Sequence, residues 1–397
     1  MIKDLKHFVI NNIGLYPMLF AGIMVAKTIG FNLGPIDLIS YAMLAITAVI
    51  ILYKGIATDY LSLIFILYIP IALFISNPPS VFSSWSRFGL FVLLFICTSP
   101  FIKTKYAQDF RFKVLKGVLL CCIMVSIVSF FCYFLGINYM RLYDSSMDYR
   151  EVTAGAFGGI TSQSMLLGPI SGISVLVCSY MVLVSSNRKY WLLVVACIGS
   201  LLFAASRSSL IATIVGLLVL FIYFSDQRGW VIRKIVPIMV IAVVLYPLWS
   251  GAMVGITAKN KGNILQGINY GSREQKWEIR MDEFKNSPVF GIGFGAVSEK
   301  DYYNHRTGII EPGTSWLAVL SMTGILGFIL FVCIFFRSFK YTIFLEMSPQ
   351  SALLGSMLAM VGVHMIAEGH IFSAGSFLCF LVWLIIGCAT DFRTRSI

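Results

Sequence analysis

The sequence predicts an all-α transmembrane fold, and three observations carry that prediction. Hydrophobic residues fill 58% of the 397 positions and charged residues only 12%, with a mean hydropathy of +0.86, whereas soluble globular domains carry about 25% charged residues. The apolar residues gather into long runs without the strict alternation of a barrel strand, so each run satisfies its own backbone as a helix. Polar residues are concentrated in one stretch, Ser250–Gly313, which interrupts the apolar pattern.

Taken in order, the apolar runs lie at 8–26, 36–53, 61–76, 87–102, 114–137, 165–185, 190–205, 208–224, 235–249, 314–336, 351–367 and 371–389. A helix crosses a bilayer with about 20 residues, so these runs predict about 12 helices. They form a single polytopic membrane domain over residues 1–397, with the large loop at 250–313 inserted between the ninth and tenth spans. The runs at 87–102 and 235–249 are short, and the second contains Pro237 and Pro247. The first run follows a basic start but lacks a small-residue cleavage site, so it is expected to persist as a helix.

Orientation follows from the basic residues, which collect on the cytoplasmic side of membrane proteins. With the N-terminus inside, Lys103, Lys105, Arg111, Lys113, Arg188, Lys189, Arg228, Arg233, Lys234, Arg337, Lys340, Arg393 and Arg395 all fall on that side. The short outer loops hold only Lys27, Arg87, Arg141, Arg150 and Arg207. Both termini are therefore expected in the cytoplasm and the large loop outside. The net charge of +12 and the pI near 9.3 then read as a topogenic signal beside an anionic leaflet, with no nucleic-acid partner. All nine cysteines fall within predicted spans, which argues against a disulfide framework, and no CxxC pair marks a metal site.

Charged and polar groups at the membrane edge are costly unless paired or wetted, so they mark candidate sites. Arg207 stands in Ser206-Arg207-Ser208-Ser209, a tight outer turn between two apolar runs, where a guanidinium must snorkel, pair or bind an anion. Arg150 precedes the Thr153–Gly159 run, which is rich in glycine and alanine. In the large loop, Ser272 and Gln275 form a capping-box pattern that predicts a helix over 273–284, ended by Asn286-Ser287-Pro288. Arg273, Trp277, Arg280, Met281 and Phe284 share one face of it, which suits a short amphipathic helix on the outer membrane surface with arginines at phosphate depth. An ordinary surface helix paired through Glu274, Glu278 and Glu283 is the competing interpretation. Gly291, Gly293 and Gly295 follow no strand and open no helix, so they suggest a tight turn near a helix end or a bound glycan, and no dinucleotide site. His364, Glu368 and His370 match no metal-ligand spacing; interhelical hydrogen bonding or one wall of a substrate cavity suits them better.

These residues together resemble the bacterial O-antigen polymerase and O-antigen ligase superfamily. The resemblance covers roughly 150 to 330: Arg150 with Gly-Ala-Phe-Gly-Gly, the Ser206-Arg207 turn, Arg273 and Trp277 before Pro288-x-x-Gly-x-Gly-x-Gly, and Arg280 opening a spacing that ends at Gly291. Many members carry a His-Asn pair before the next span, where this chain has Gly313-Thr314, with Glu311 and His305 nearby. The resemblance implies a GT-C-type membrane glycosyltransferase architecture in the inner membrane. It implies an undecaprenyl-pyrophosphate-linked oligosaccharide donor, membrane lipid as surroundings, and a flippase and chain-length regulator of the same pathway as partners. No cofactor and no metal are expected.

The implied reaction displaces polyprenyl pyrophosphate from the anomeric carbon by a glycan hydroxyl, with inversion if it runs in one step. Arginines would stabilise the leaving pyrophosphate in place of a divalent metal. Catalytic roles are expected for Glu311 or His305 as base, with Arg280; donor and glycan binding is expected of Arg150, Arg207, Arg273, Trp277, Gly291, Gly293 and His370. Polymerisation of repeat units is the leading expectation, transfer of finished glycan by a ligase the second, and a transporter or flippase the third. The transporter is disfavoured by the long outer loop and by the lack of visible internal repeats.

Overall fold

The computed structural model describes residues 14–31, 33–139, 157–185, 187, 189–224, 274–298, 303–304, 309–310, 313–342 and 348–395. The run at 235–249, most of the 250–313 loop, and Arg150, Arg273, His305 and Glu311 lie outside the described residues.

Among these residues the chain is helical, in the order α1 (Leu15–Ala26), α2 (Ile36–Tyr53), α3 (Tyr60–Ser76), α4 (Ser84–Thr98), α5 (Lys105–Phe134), α6 (Ser164–Ser185), α7 (Tyr190–Phe203), α8 (Arg207–Tyr223), α9 (Glu274–Asn286), α10 (Ser315–Lys340), α11 (Pro349–Ala367) and α12 (Phe377–Arg395). A two-residue antiparallel pairing of β1 (Tyr303–Asn304) with β2 (Ile309–Ile310) is the exception. Six of the described helical stretches are long and apolar enough to cross a membrane, and shorter apolar helices accompany them. The protein is a multi-pass membrane protein, and its described helices other than α9 fall on the apolar runs.

The residues fall into two compact units. The first comprises Met1–Gly34, Lys116–Gly271 and Ser348–His364. Its centre is α6, where every residue from 167 to 183 is buried, as expected of a helix apolar on all sides. Gly168 and Gly172 let α8 approach α6 closely: a Cβ at Gly168 would lie 2.6 Å from Ser209 Oγ, and one at Gly172 would strike Thr213 and Met360. Small residues at this spacing are how membrane helices gain packing contact where apolar burial drives little. The end of the Thr153–Gly159 run is tied down by backbone pairing, with Gly30 N–H donating to Ile160 O and Tyr139 N–H to Gly159 O, both at 2.8 Å.

The second unit comprises Pro35–Leu115, Ser272–Met347 and Met365–Ile397. An aromatic core of Phe65, Phe91, Phe95, Phe331, Phe372 and Trp383 holds its helices, with Phe95 and Trp383 edge to face at 4.9 Å. At one end Asp59, the N-cap of α3, accepts from Arg337 at 3.0 and 2.6 Å and lies 2.6 Å from Lys103. Nearby in this unit Arg111 Nε pairs with Asp391 Oδ2 at 2.7 Å, both buried.

The predicted span at 314–336 proves to be two helices. Gly324 has φ 65 and ψ −171, a conformation essentially restricted to glycine, and it divides α10 into limbs 315–323 and 325–340. The limbs turn back on each other: the Trp316 ring centroid lies 5.4 Å from that of Phe331 and 5.2 Å from that of Phe335. An apolar run carries no mark of this reversal, because both limbs are apolar and a glycine inside a membrane helix is common.

Candidate functional site

A broken membrane helix exposes backbone groups that must find partners, and here the glycine-rich stretch of the loop supplies them. Ile325 N–H donates to Pro288 O at 2.8 Å, Ile292 N–H to Ser321 O at 2.9 Å and Gly293 N–H to Met322 O at 3.2 Å. The Tyr68 hydroxyl on α3 lies 2.8 Å from Thr323 O and 2.9 Å from Val289 O, capping both strands of the junction. The fit is backbone against backbone: a Cβ at Gly291 would lie 2.5 Å from Ser321 O and Met322 C, and one at Gly324 would strike Val289 O. Gly291 and Gly293 have φ 72 and 103, so both positions call for glycine. Phe294, between Gly293 and Gly295, is 1% exposed and packs 4.8 Å from Phe372 and 5.3 Å from Phe91, which anchors the glycine-rich stretch in the aromatic core.

Helix α9 covers this junction. Arg280 and Glu283 are 2% and 1% exposed. Arg280 Nη1 lies 2.7 Å from Glu283 Oε2 and 3.2 Å from Ser321 Oγ. The second carboxylate oxygen, Glu283 Oε1, accepts from the Ser298 backbone N–H at 2.8 Å and the Ser298 hydroxyl at 2.9 Å. Burial draws the Arg280 guanidinium below its ordinary value, and Glu283 offsets part of that shift. The pair joins α9 to the turn ending at Ser298 and to the first limb of α10. The predicted shared face of this helix is thereby corrected: Trp277 and Met281 are exposed at 38% and 36%, while Arg280 points inward. A hydrogen-bonded ion pair, invisible to an apolar pattern, occupies the buried side.

The start of α10 is stitched to the last turn of α11 and the segment after it. Thr314 Oγ1 donates to Met365 O at 3.2 Å, Ser315 Oγ donates to Glu368 O at 2.7 Å, and His370 N–H donates to Ser315 Oγ at 3.0 Å. The backbone of His370, a buried residue, is thereby held at Ser315, next to Gly313-Thr314. His370 is among the expected binding residues, but its link to Ser315 is a tertiary contact that spacing along the chain does not show. Among the described residues no three His, Cys, Asp or Glu side chains form a metal-holding group.

In the first unit, Arg207 is exposed as the opening residue of α8, with Ser206 as N-cap. Ala205, just before it, is 2% exposed and holds φ 49, a left-handed conformation uncommon outside glycine, asparagine and aspartate. Ser206 Oγ and Ser209 Oγ share a hydrogen bond at 2.8 Å, and Ser209 Oγ lies 3.3 Å from His364 Nε2. The structure thus describes six of the expected site residues. Arg207 and Trp277 are exposed, Arg280 and His370 are buried, and Gly291 and Gly293 form the α10 junction.

Helices of this kind, joined through a polar loop that docks into a broken span, define a multi-pass membrane protein with structured loop elements. Residues 192–332 match the family model described as O-antigen ligase, which supports the resemblance to the O-antigen ligase and polymerase superfamily over that stretch. The matched stretch contains the Arg207 turn, α9, the glycine-rich junction and the α10 break. It supports glycosyltransferase-like activity in O-antigen processing. No curated protein matches the chain.

Proposed function

We propose that this protein is a polysaccharide polymerase of the bacterial inner membrane, with both termini cytoplasmic and residues 250–313 outside. It transfers glycan from an undecaprenyl-pyrophosphate donor to a hydroxyl of a second lipid-linked repeat unit. The observation that best supports this is Arg207, exposed on a constrained turn within the stretch matched to the O-antigen ligase family.

In the proposed reaction the acceptor oxygen bonds to the anomeric carbon as the bond to pyrophosphate breaks. The bonding pair leaves with the pyrophosphate oxygen, and the acceptor proton passes to a base, for which Glu311 and His305 are the candidates in the loop. Arg207 would offer planar, paired donors to the pyrophosphate as its charge grows. Arg280, held by Glu283, enters as a positioning residue for the loop. Replacing Arg207 by alanine should abolish polymer while protein level and insertion persist, and lysine should rescue poorly because it lacks the fork. Normal polymer in Arg207→Ala would reject the assignment.

Ligase activity is the second reading, favoured by the description of the matched family. Deleting the gene separates the two. Loss of a polymerase leaves single repeat units on the cell's usual acceptor, whereas loss of a ligase leaves long polymer on the carrier lipid.

A further inference from the structure

The geometry points to His364 as the residue that positions Arg207, acting through Ser209 and Ser206. This rests on the proposed role of Arg207 in holding pyrophosphate. The turn between α7 and α8 is tight and strained: Ala205 holds φ 49 while 2% exposed, and Ser206 makes no side-chain cap to the helix it opens. The Ser206 hydroxyl is directed elsewhere, to Ser209 Oγ at 2.8 Å and Ser208 Oγ at 3.4 Å. Ser209 is fully buried and lies 3.3 Å from His364 Nε2, and His364, on α11, is 3% exposed. Behind the hydroxyls stands Gly168 of α6, where a Cβ would come 2.6 Å from Ser209 Oγ and 2.8 Å from Ser206 Cβ.

Each part of this arrangement constrains the same few atoms. An N-cap serine normally accepts from a backbone N–H of the helix it opens, and here its hydroxyl pairs instead with the Ser209 side chain, which lies against the His364 imidazole. A strained backbone persists only where its surroundings over-determine it. The hydroxyl chain and the close approach of α6 supply that determination, fixing the backbone from which the Arg207 side chain departs. His364 is buried, so it acts on the ligand through Arg207 and not by contact.

The test is binding of undecaprenyl pyrophosphate to the full-length protein in nanodiscs. One lost hydrogen bond in a positioning chain weakens binding by up to about tenfold. His364→Ala and Ser209→Ala should each raise Kd by about that factor, and His364→Gln, whose amide can reach Ser209, should restore most of the affinity. In an Arg207→Ala background, His364→Ala should change Kd no further, since coupled residues are not additive. Unchanged affinity in both alanine variants, beside a clear loss in Arg207→Ala, would overturn the positioning role alone. No loss in Arg207→Ala would remove the pyrophosphate assignment and the positioning role with it. If His364→Ala fails to accumulate, Ser209→Ala decides the outcome. Equal loss in His364→Ala and His364→Gln, additive with Arg207→Ala, would mark a general packing role and reject the inference.

Discussion

Trp316 and Phe335 lie edge to face with ring centroids 5.2 Å apart at 82°, although a continuous helix would separate them by about 28 Å. The contact exists because α10 reverses at Gly324, and the reversal is stable because loop residues Pro288 to Gly293 and Tyr68 satisfy the freed backbone. Loop and membrane helix are thus one structural piece, which explains why glycines from 291 to 295 and Gly324 belong to one pattern.

Gly324→Ala should be severely destabilising, by about 3 kcal/mol or more, since the backbone conformation excludes a side chain and the Cβ would strike Val289. Tyr68→Phe removes only a hydroxyl and should cost about 1–2 kcal/mol. Thermal unfolding in detergent measures both, and a Gly324→Ala protein as stable as the parent would refute the docked junction.

Arg280 and Glu283 should fail together. Removing either leaves a buried charge or its partners unmatched, at a cost of about 3–5 kcal/mol, whereas replacing both by apolar residues of similar volume should recover much of that loss. A double-mutant cycle on unfolding free energy reads the coupling; additive single losses would show that the pair carries no shared energy.

How much of this was legible in the sequence varies by residue. The apolar runs located the described helices because burial in lipid imposes a long, simple pattern, and the capping pattern at Ser272 anticipated α9 closely, at Glu274–Asn286. The orientation of α9 was not legible, since Arg280 and Glu283 are inward for each other and for Ser298 and Ser321. Nor was the α10 reversal, which depends on backbone partners supplied from Pro288 and Tyr68. The Ser206-Arg207 turn could be seen, but His364 joins it only through tertiary contact.

The Asp59 cluster predicts a pH dependence. Burial alone would raise this carboxyl, but hydrogen bonds from Arg337, Lys103 and Ser62 outweigh it and hold the group well below the usual carboxylate range. A depressed folded value means the stabilisation is fully present above about pH 4, the ordinary aspartate range, and is lost as pH falls through the folded value. Asp59→Asn should therefore lower the neutral-pH Tm and flatten the fall in stability below about pH 4. An unchanged acid limb would contradict this.

The proposed topology predicts that Lys285→Cys reacts with an impermeant maleimide in intact spheroplasts, and that Lys105→Cys reacts only after lysis. Both positions are exposed, and Cys333, the one exposed native cysteine, would first be replaced by serine. Labelling of Lys105→Cys alone from outside would invert the orientation and remove the outer-face reaction.

Polymerase activity can be read by incubating purified protein in nanodiscs with lipid-linked repeat units isolated from a strain lacking the gene, with a chelator present. A polymerase yields a ladder of glycans on the carrier lipid, growing by one repeat per step with one undecaprenyl pyrophosphate released per bond formed. Intact single repeats with no release, or transfer only when a separate non-carrier acceptor is added, would contradict the polymerase reading.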